Sequence, residues 1–235
     1  MNAMSDRIWV LVPMKCFSRA KGRLAPALPP ATRRALARAM ADDVVAALYE
    51  AGIGERLCVL SDSPEVHEFA AHRGLAWYDD ARVAARPGLN AGIAGVAREA
   101  GAGGATALLI VHADLPLLTA DAIGQVVRGW RALSGTGRVA LARSGDGGTN
   151  MLLVERPRDF TYRFGTGSHA LHMGECARRG RSVASLTLAP AALDIDTPGD
   201  LARLERAAAC NSGNWSQSAR ARACASDGAR PAMAA

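Results

Sequence analysis

Ala107-Leu108-Leu109-Ile110-Val111 is the most apolar short run in the chain, and His112-Ala113-Asp114-Leu115-Pro116 follows it directly. Five apolar residues with no polar alternation read as a strand buried on both faces, which puts it near the centre of a sheet. Outward from it, short apolar runs alternate with segments of helical period. Upstream, residues 8–12 read as a buried strand stopped by Pro13. Leu36, Met40, Val44 and Leu48 recur every four residues in an amphipathic helix over 31–51, which Gly52 ends. Residues 57–60 form the next strand, Ser61-Asp62-Ser63-Pro64 opens a helix to about 73, 75–78 is a short strand, and 88–100 reads as a helix. Downstream, Thr119 opens a helix to about 133, and a strand follows over 138–142. A glycine-rich turn then leads to a strand over 151–154, a helix over 168–179, a strand over 183–188 and a last helix over 197–208. Strand, crossover helix and strand, repeated four times, predict an α/β fold with a mostly parallel sheet and helices on both faces.

The chain has 235 residues, which suffices for one large domain with a core that needs no staples. We read 1–208 as that domain. Residues 209–235 are Ala, Ser, Arg, Asn and Gly with few large aliphatics, a composition that predicts a disordered tail. No apolar run approaches the ~20 residues that span a membrane, and the N-terminus lacks a signal-peptide pattern. Five widely spaced cysteines without a Cys-x-x-Cys predict reduced thiols and a soluble, cytoplasmic protein. The net charge of +6 rests on 28 basic residues, of which only Lys15 and Lys21 are lysines. The arginines are scattered with no interleaved aromatics, which argues against nucleic acid and leaves an anionic small molecule compatible.

In an open parallel sheet a ligand lies beyond the carboxyl ends of the strands. After the first strand, Lys15, Arg19, Lys21 and Arg23 fall within nine residues. Converging cations suit a triphosphate, although a solvated basic loop has the same composition. Neither a P-loop nor a dinucleotide fingerprint is present. Asp114, just past the central strand, is placed to hold Mg²⁺ or to be a buried ion-pair partner. Asp194-Ile195-Asp196 in extended backbone puts two carboxylates on one face, again suited to a metal. Helix capping by Thr197 to Asp200 accounts for the end of that motif but not for Asp194. The glycine-rich stretches 143–150 and 163–168 suggest a second anion site, with Ser168 leading a helix, though each alone is an ordinary turn. His169 and His172, three apart, read as surface or packing residues because no third metal ligand is spaced with them.

The order of these segments resembles the 2-phospho-L-lactate guanylyltransferase family of coenzyme F420 biosynthesis, which includes the bacterial phosphoenolpyruvate and 3-phospho-D-glycerate guanylyltransferases. The resemblance is carried by Val-Pro-Met-Lys (12–15), Ala-Lys-Gly-Arg-Leu (20–24), Leu-Ser-Asp (60–62), Gly-Leu-Asn-Ala-Gly (88–92) and His-Ala-Asp-Leu-Pro (112–116). Gly-Asp-Gly-Gly-Thr-Asn (145–150), Phe-Gly-Thr-Gly-Ser (164–168) and Asp-Ile-Asp-Thr-Pro (194–198) complete it, over about residues 8–205. It implies a single-domain, Rossmann-like nucleotidyltransferase of the glycosyltransferase-A-like type. The implied partners are GTP and a phosphorylated three-carbon acid, with functional coupling to the next enzyme of the pathway; no oligomeric state is implied. It further implies that Lys15, Lys21 and Arg23 hold the triphosphate, and that Asp114 with Asp194 or Asp196 holds Mg²⁺. Thr149, Gly165 and Ser168 would take the acid, and the Leu89-Asn90 segment would lie against the nucleotide. Gly22 departs from the pattern, where Ser is the more usual residue. The acid is 3-phospho-D-glycerate or phosphoenolpyruvate before 2-phospho-L-lactate, because the Arg/Ala-rich composition looks bacterial. The competing readings are a nucleotidyltransferase for a sugar phosphate or the molybdenum pterin, and a non-catalytic GTP-binding regulatory protein.

Overall fold

The computed structural model describes residues 6–53 and 56–210. The chain runs β1 (Ile8–Pro13), α1 (Pro30–Glu50), β2 (Leu57–Ser61), α2 (Pro64–Ala71), β3 (Ala76–Asp79), α3 (Asp80–Val83), α4 (Leu89–Ala102), β4 (Ala107–Val111) and α5 (Ala120–Arg131). It continues through β5 (Val139–Arg143), β6 (Thr149–Glu155), α6 (Ser168–Arg178), β7 (Val183–Leu186), α7 (Ala189–Ala192) and α8 (Pro198–Cys210). α8 reaches Cys210, and residues 211–235 of the expected tail lie outside the described residues.

Seven strands form one sheet in the order β3-β2-β1-β4-β6-β5-β7. β4 is wholly buried beside β1, as its apolar run predicts. The sheet is mostly parallel with one exception: β6 runs antiparallel to both β4 and β5. A strand covered on both faces is apolar whichever way it runs, so its direction leaves no mark in the pattern. The reversal matters for function. It brings the first residues of β6, Thr149 and Asn150, to the edge where the parallel strands end.

Alternate residues of each strand feed two apolar layers. Val10, Val12, Leu109 and Val111 pack with α1, α2 and α5, whereas Leu11, Leu108, Ile110 and Leu152 pack with α4, the 160–164 segment and α6. The four-residue stripe of α1 is buried along its length, from Leu36 to Leu48. A third, smaller cluster joins Leu24, Leu36, Met40, Ile195, Leu201 and Leu204, and it fastens α8 to α1. Thr197 and Asp200 cap α8 reciprocally: the Asp200 carboxylate accepts from Thr197 N at 2.8 Å, and Thr197 Oγ1 accepts from Asp200 N at 3.3 Å. No described helix is long and apolar enough to cross a membrane.

Candidate active site

The chain leaves β1 to one side for β2 and returns on the other side as β4, so the switch point of the sheet lies between β1 and β4. Beyond β1 the loop is pinned by apolar anchors. Met14 and Leu24 are buried, and buried Phe17 meets Phe69 of α2 edge-on at 5.3 Å. Between the anchors, Lys15 is exposed and has no carboxylate partner among the described residues. Glu65, in the first turn of α2, holds the loop from below by accepting from Ser18 N at 3.0 Å and pairing with Arg34. Burial opposes the Glu65 charge, but the Ser18 amide and Arg34 outweigh it and lower the carboxyl below its ordinary value.

Lys21 sits at the switch point. Its backbone is left-handed, φ 57°, an uncommon conformation for a residue with a side chain. Its Nζ donates to Asp114 Oδ2 at 2.5 Å and to Asp196 Oδ1 at 3.0 Å, and Arg23 pairs with the other Asp196 oxygen. The third apolar cluster makes this possible. Leu24 and Ile195 are both fully buried in it, which brings Lys21 and Arg23 to Asp196, the residue after Ile195. Burial works against the Lys21 charge, and the two carboxylates override it and raise the group above its ordinary value. Asp114 is the mirror case: burial would raise it, and Lys21 with His112 holds it below the usual range. A side chain at Gly22 would meet nothing within 4 Å, so glycine there in place of serine leaves the loop's geometry free.

Asp194 stands close to Asp114. Burial and the Asp114 charge together raise its carboxyl, and Asn150 Nδ2 donates to it at 3.4 Å. Among the described residues no three His, Cys, Asp or Glu side chains are gathered to hold a metal by themselves. The donors are nonetheless hard oxygens of the kind Mg²⁺ takes, and Asp194 has no cation partner among the described residues. Asp114, Asp194 and Asp196 fit Mg²⁺ in chemistry, with the Lys21 ammonium between two of them.

The residues expected to form a second anion site lie about the start of β6 and the head of α6. His112 N donates to Asn150 O at 3.1 Å, which sets β6 against the end of β4. The Gly147-Gly148 turn meets the head of α6, where His169 N donates to Gly147 O at 3.3 Å. Ser168 begins α6, and Gly165 and Gly167 precede it with φ of 133° and 67°, conformations that favour glycine. Thr149 Oγ1 lies 3.0 Å from His172 Nδ1. Thr149, Gly165 and Ser168 are therefore brought into one region around a helix N-terminus, where backbone amides favour an anion.

Asn90 ties the head of α4 to the segment before Gly165. Its Oδ1 accepts from Phe164 N at 2.7 Å and its Nδ2 donates to Phe164 O at 3.0 Å, which staples the head of α4 to the strap before Gly165. Leu89 beside it is exposed. The contacts of Glu65, Asn150 and His172 are not marked in the sequence. Their partners lie 47, 44 and 23 residues away, so no local pattern marks them.

The family described as "Guanylyl transferase CofC like" matches residues 8–207. The chain belongs to this family. It is a nucleotidyltransferase, and its motifs fall within the matched span. The chain is 39% identical over 194 residues to a protein of Sphaerobacter thermophilus named "Phosphoenolpyruvate guanylyltransferase", covering 83% of this chain and 90% of that one. It is 34% identical over 194 residues to a "3-phospho-D-glycerate guanylyltransferase" of Phenylobacterium zucineum, covering 80% and 84%. Among solved structures, a putative nucleotide-diphospho-sugar transferase from Desulfovibrio desulfuricans G20 shares the fold, with a TM-score of 0.78 at 15% identity, covering 94% and 96%. The matched span contains the Lys21, Asp114 and Asp196 cluster and the glycine-rich turns before β6 and α6.

Proposed function

We propose that the protein transfers GMP from GTP to a small phosphorylated three-carbon acid and releases pyrophosphate. The acid is 3-phospho-D-glycerate or phosphoenolpyruvate before 2-phospho-L-lactate, and the product is a side-chain precursor in cytoplasmic coenzyme F420 biosynthesis. The observation that carries this reading is the Lys21 bridge to Asp114 and Asp196 at the switch point of the sheet.

The chemistry joins two polyanions, so positioning and charge are the main requirements. Lys15, Lys21 and Arg23 take the β- and γ-phosphates, with Arg19 beside them. Thr149, the Gly165 backbone and Ser168 take the acid at the head of α6. Leu89 and Asn90 bound the nucleotide side, and the Asn90–Phe164 staple keeps both regions in register. An oxygen of the acid's phosphate attacks the α-phosphorus in line. The new bond is P–O–Pα, the Pα–O–Pβ bond breaks, and its electron pair leaves with pyrophosphate. The nucleophile is already anionic, so no side chain has to remove a proton. Asp114, Asp194 and Asp196 would hold Mg²⁺, which when bound supplies charge to offset the repulsion between the substrates.

Pyrophosphate release tests the reading, with GTP, ATP, CTP or UTP and each acid in turn. Release that requires GTP and one acid supports it. Release with a sugar phosphate instead, or GTP binding without turnover with any acid, overturns it.

A further inference from the structure

His172 reads from sequence as a surface or packing residue, and it is fully buried. Both of its ring nitrogens are nevertheless engaged, and the partners fix the proton. Arg163 N lies 3.1 Å from Nε2. A backbone N–H only donates, so Nε2 has to present its lone pair. A neutral imidazole carries one proton, which must then sit on Nδ1. Nδ1 is 3.0 Å from Thr149 Oγ1, so the ring donates to that oxygen and the hydroxyl hydrogen of Thr149 is left to point elsewhere. Burial, with His112 and His169 nearby, lowers the ring to about 4, consistent with a neutral group. Phe164 meets the ring edge-on at 4.8 Å and Phe160 flanks it at 5.9 Å, which holds its plane.

We propose that His172 is a positioning residue for the phospho-acid. Through Nδ1–H it turns the Thr149 hydroxyl into a donor toward the acid, and through Nε2 it sets the strap that ends at Gly165. The inference rests on the reading that Thr149 and Gly165 hold the acceptor. It makes His172 a determinant of acid affinity that does not touch the acid. The strap is then fastened from two sides, by His172 at Arg163 and by Asn90 at Phe164.

The test combines steady-state kinetics with histidine ¹⁵N NMR of the unliganded protein. At neutral pH the His172 signals should be those of the Nδ1–H tautomer. His172→Phe should raise the KM for the acid about tenfold or more, with the KM for GTP within about twofold. His172→Asn keeps an N–H near the Nδ1 position and should recover part of that loss. Thr149→Val should raise the acid KM alone, and His172→Asn should add less on top of it than in the wild type. An Nε2–H tautomer or an imidazolium at neutral pH overturns the proposal. So does an unchanged acid KM, or a common fall of kcat and both affinities, which marks a merely structural ring. If His172→Phe does not fold, the tautomer and the His172→Asn and Thr149→Val pair decide alone. A wild type that binds GTP but turns over no acid overturns the acceptor reading, and this inference with it. Turnover with an insensitive acid KM overturns only the role of His172.

Discussion

Lys21 Nζ lies 2.5 Å from Asp114 Oδ2, a contact between residues 93 apart that closes the switch point of the sheet. The Lys21 side chain is 8% exposed and carries two carboxylate partners. Removing Lys21 leaves Asp114 without this partner while Asp196 keeps Arg23, and because the two carboxylates are 26% and 34% exposed, solvent discounts the cost to about 1–2 kcal/mol. Lys21→Met should therefore lower stability by about that amount in the absence of divalent cation. If Asp114, Asp194 and Asp196 can hold Mg²⁺, the cation should restore part of it. Thermal unfolding with and without Mg²⁺ checks this: the Mg²⁺-dependent rise in Tm should be larger in Lys21→Met than in the wild type. An equal or smaller rise argues against a metal among these carboxylates.

Asp114→Asn keeps the size of the side chain and removes its charge. Asp196 still partners Lys21, so folding and GTP binding should survive. Turnover should fall about 100-fold or more, the scale on which enzymes depend on electrostatic groups at the reacting centre. Pyrophosphate release beside a GTP titration reads both properties. A loss below about fivefold would remove Asp114 from the machinery, and a loss of GTP binding would move it to the nucleotide.

Stability should fall on acidification from near neutrality. His172 is lowered to about 4 from 6.5, first by burial and then by His112, His169 and Arg163, with Glu175 opposing them. The folded state thus prefers the neutral ring, the unfolded chain binds more protons between pH 6.5 and 4, and stability is lost as pH drops through that window. From pH 7.5 to 5 the loss from this residue is about 2 kcal/mol. Glu175 is lowered to about 2: burial opposes its charge, and Arg179 and Arg178 overcome it. Its contribution is lost only below about pH 4.5, outside the range from pH 7.5 to 5. Urea unfolding at pH 7.5 and 5 should show the drop in the wild type and a flatter profile in His172→Phe.

Gly95 of α4 faces the backbone of α3. A Cβ there would lie 2.2 Å from Val83 O, and a backbone carbonyl cannot rotate away as a side chain can. Gly95→Ala should cost about 1–3 kcal/mol despite alanine's better helix propensity. Because α4 carries Leu89 and Asn90 at its head, the displacement should also weaken GTP binding. Chemical denaturation and a GTP titration measure the two effects. A gain in stability would show that α3 yields instead.

The sheet's central strands and the long helices were legible because burial enforces a period. Residues 107–111 read as a two-faced strand, and the stripe from Leu36 to Leu48 as one helix face. The reversed direction of β6 was not legible, since an antiparallel strand buried on both faces has the same composition as a parallel one. The four-residue helices α3 and α7 are too short to show a period. At the site, residue types and order were readable: a basic loop, a carboxylate after the central strand, a flanked Ile195 and a glycine-rich turn. Their pairing was not, because Lys21 finds Asp196 at a separation of 175 residues through Leu24 and Ile195, which meet only in the folded core. His172 read only as a surface or packing residue for the same reason, since its partners Thr149 and Arg163 belong to other segments.

The bond that forms is the central claim, and ³¹P NMR of the wild-type reaction reads it directly. The protein is mixed with GTP, Mg²⁺ and 3-phospho-D-glycerate, phosphoenolpyruvate or 2-phospho-L-lactate. With the true acid, pyrophosphate should appear in step with two mutually coupled phosphorus signals, those of GMP joined to the acid's phosphate. GDP and inorganic phosphate, or pyrophosphate and free GMP without the coupled pair, would contradict transfer of GMP to a phosphorylated acid.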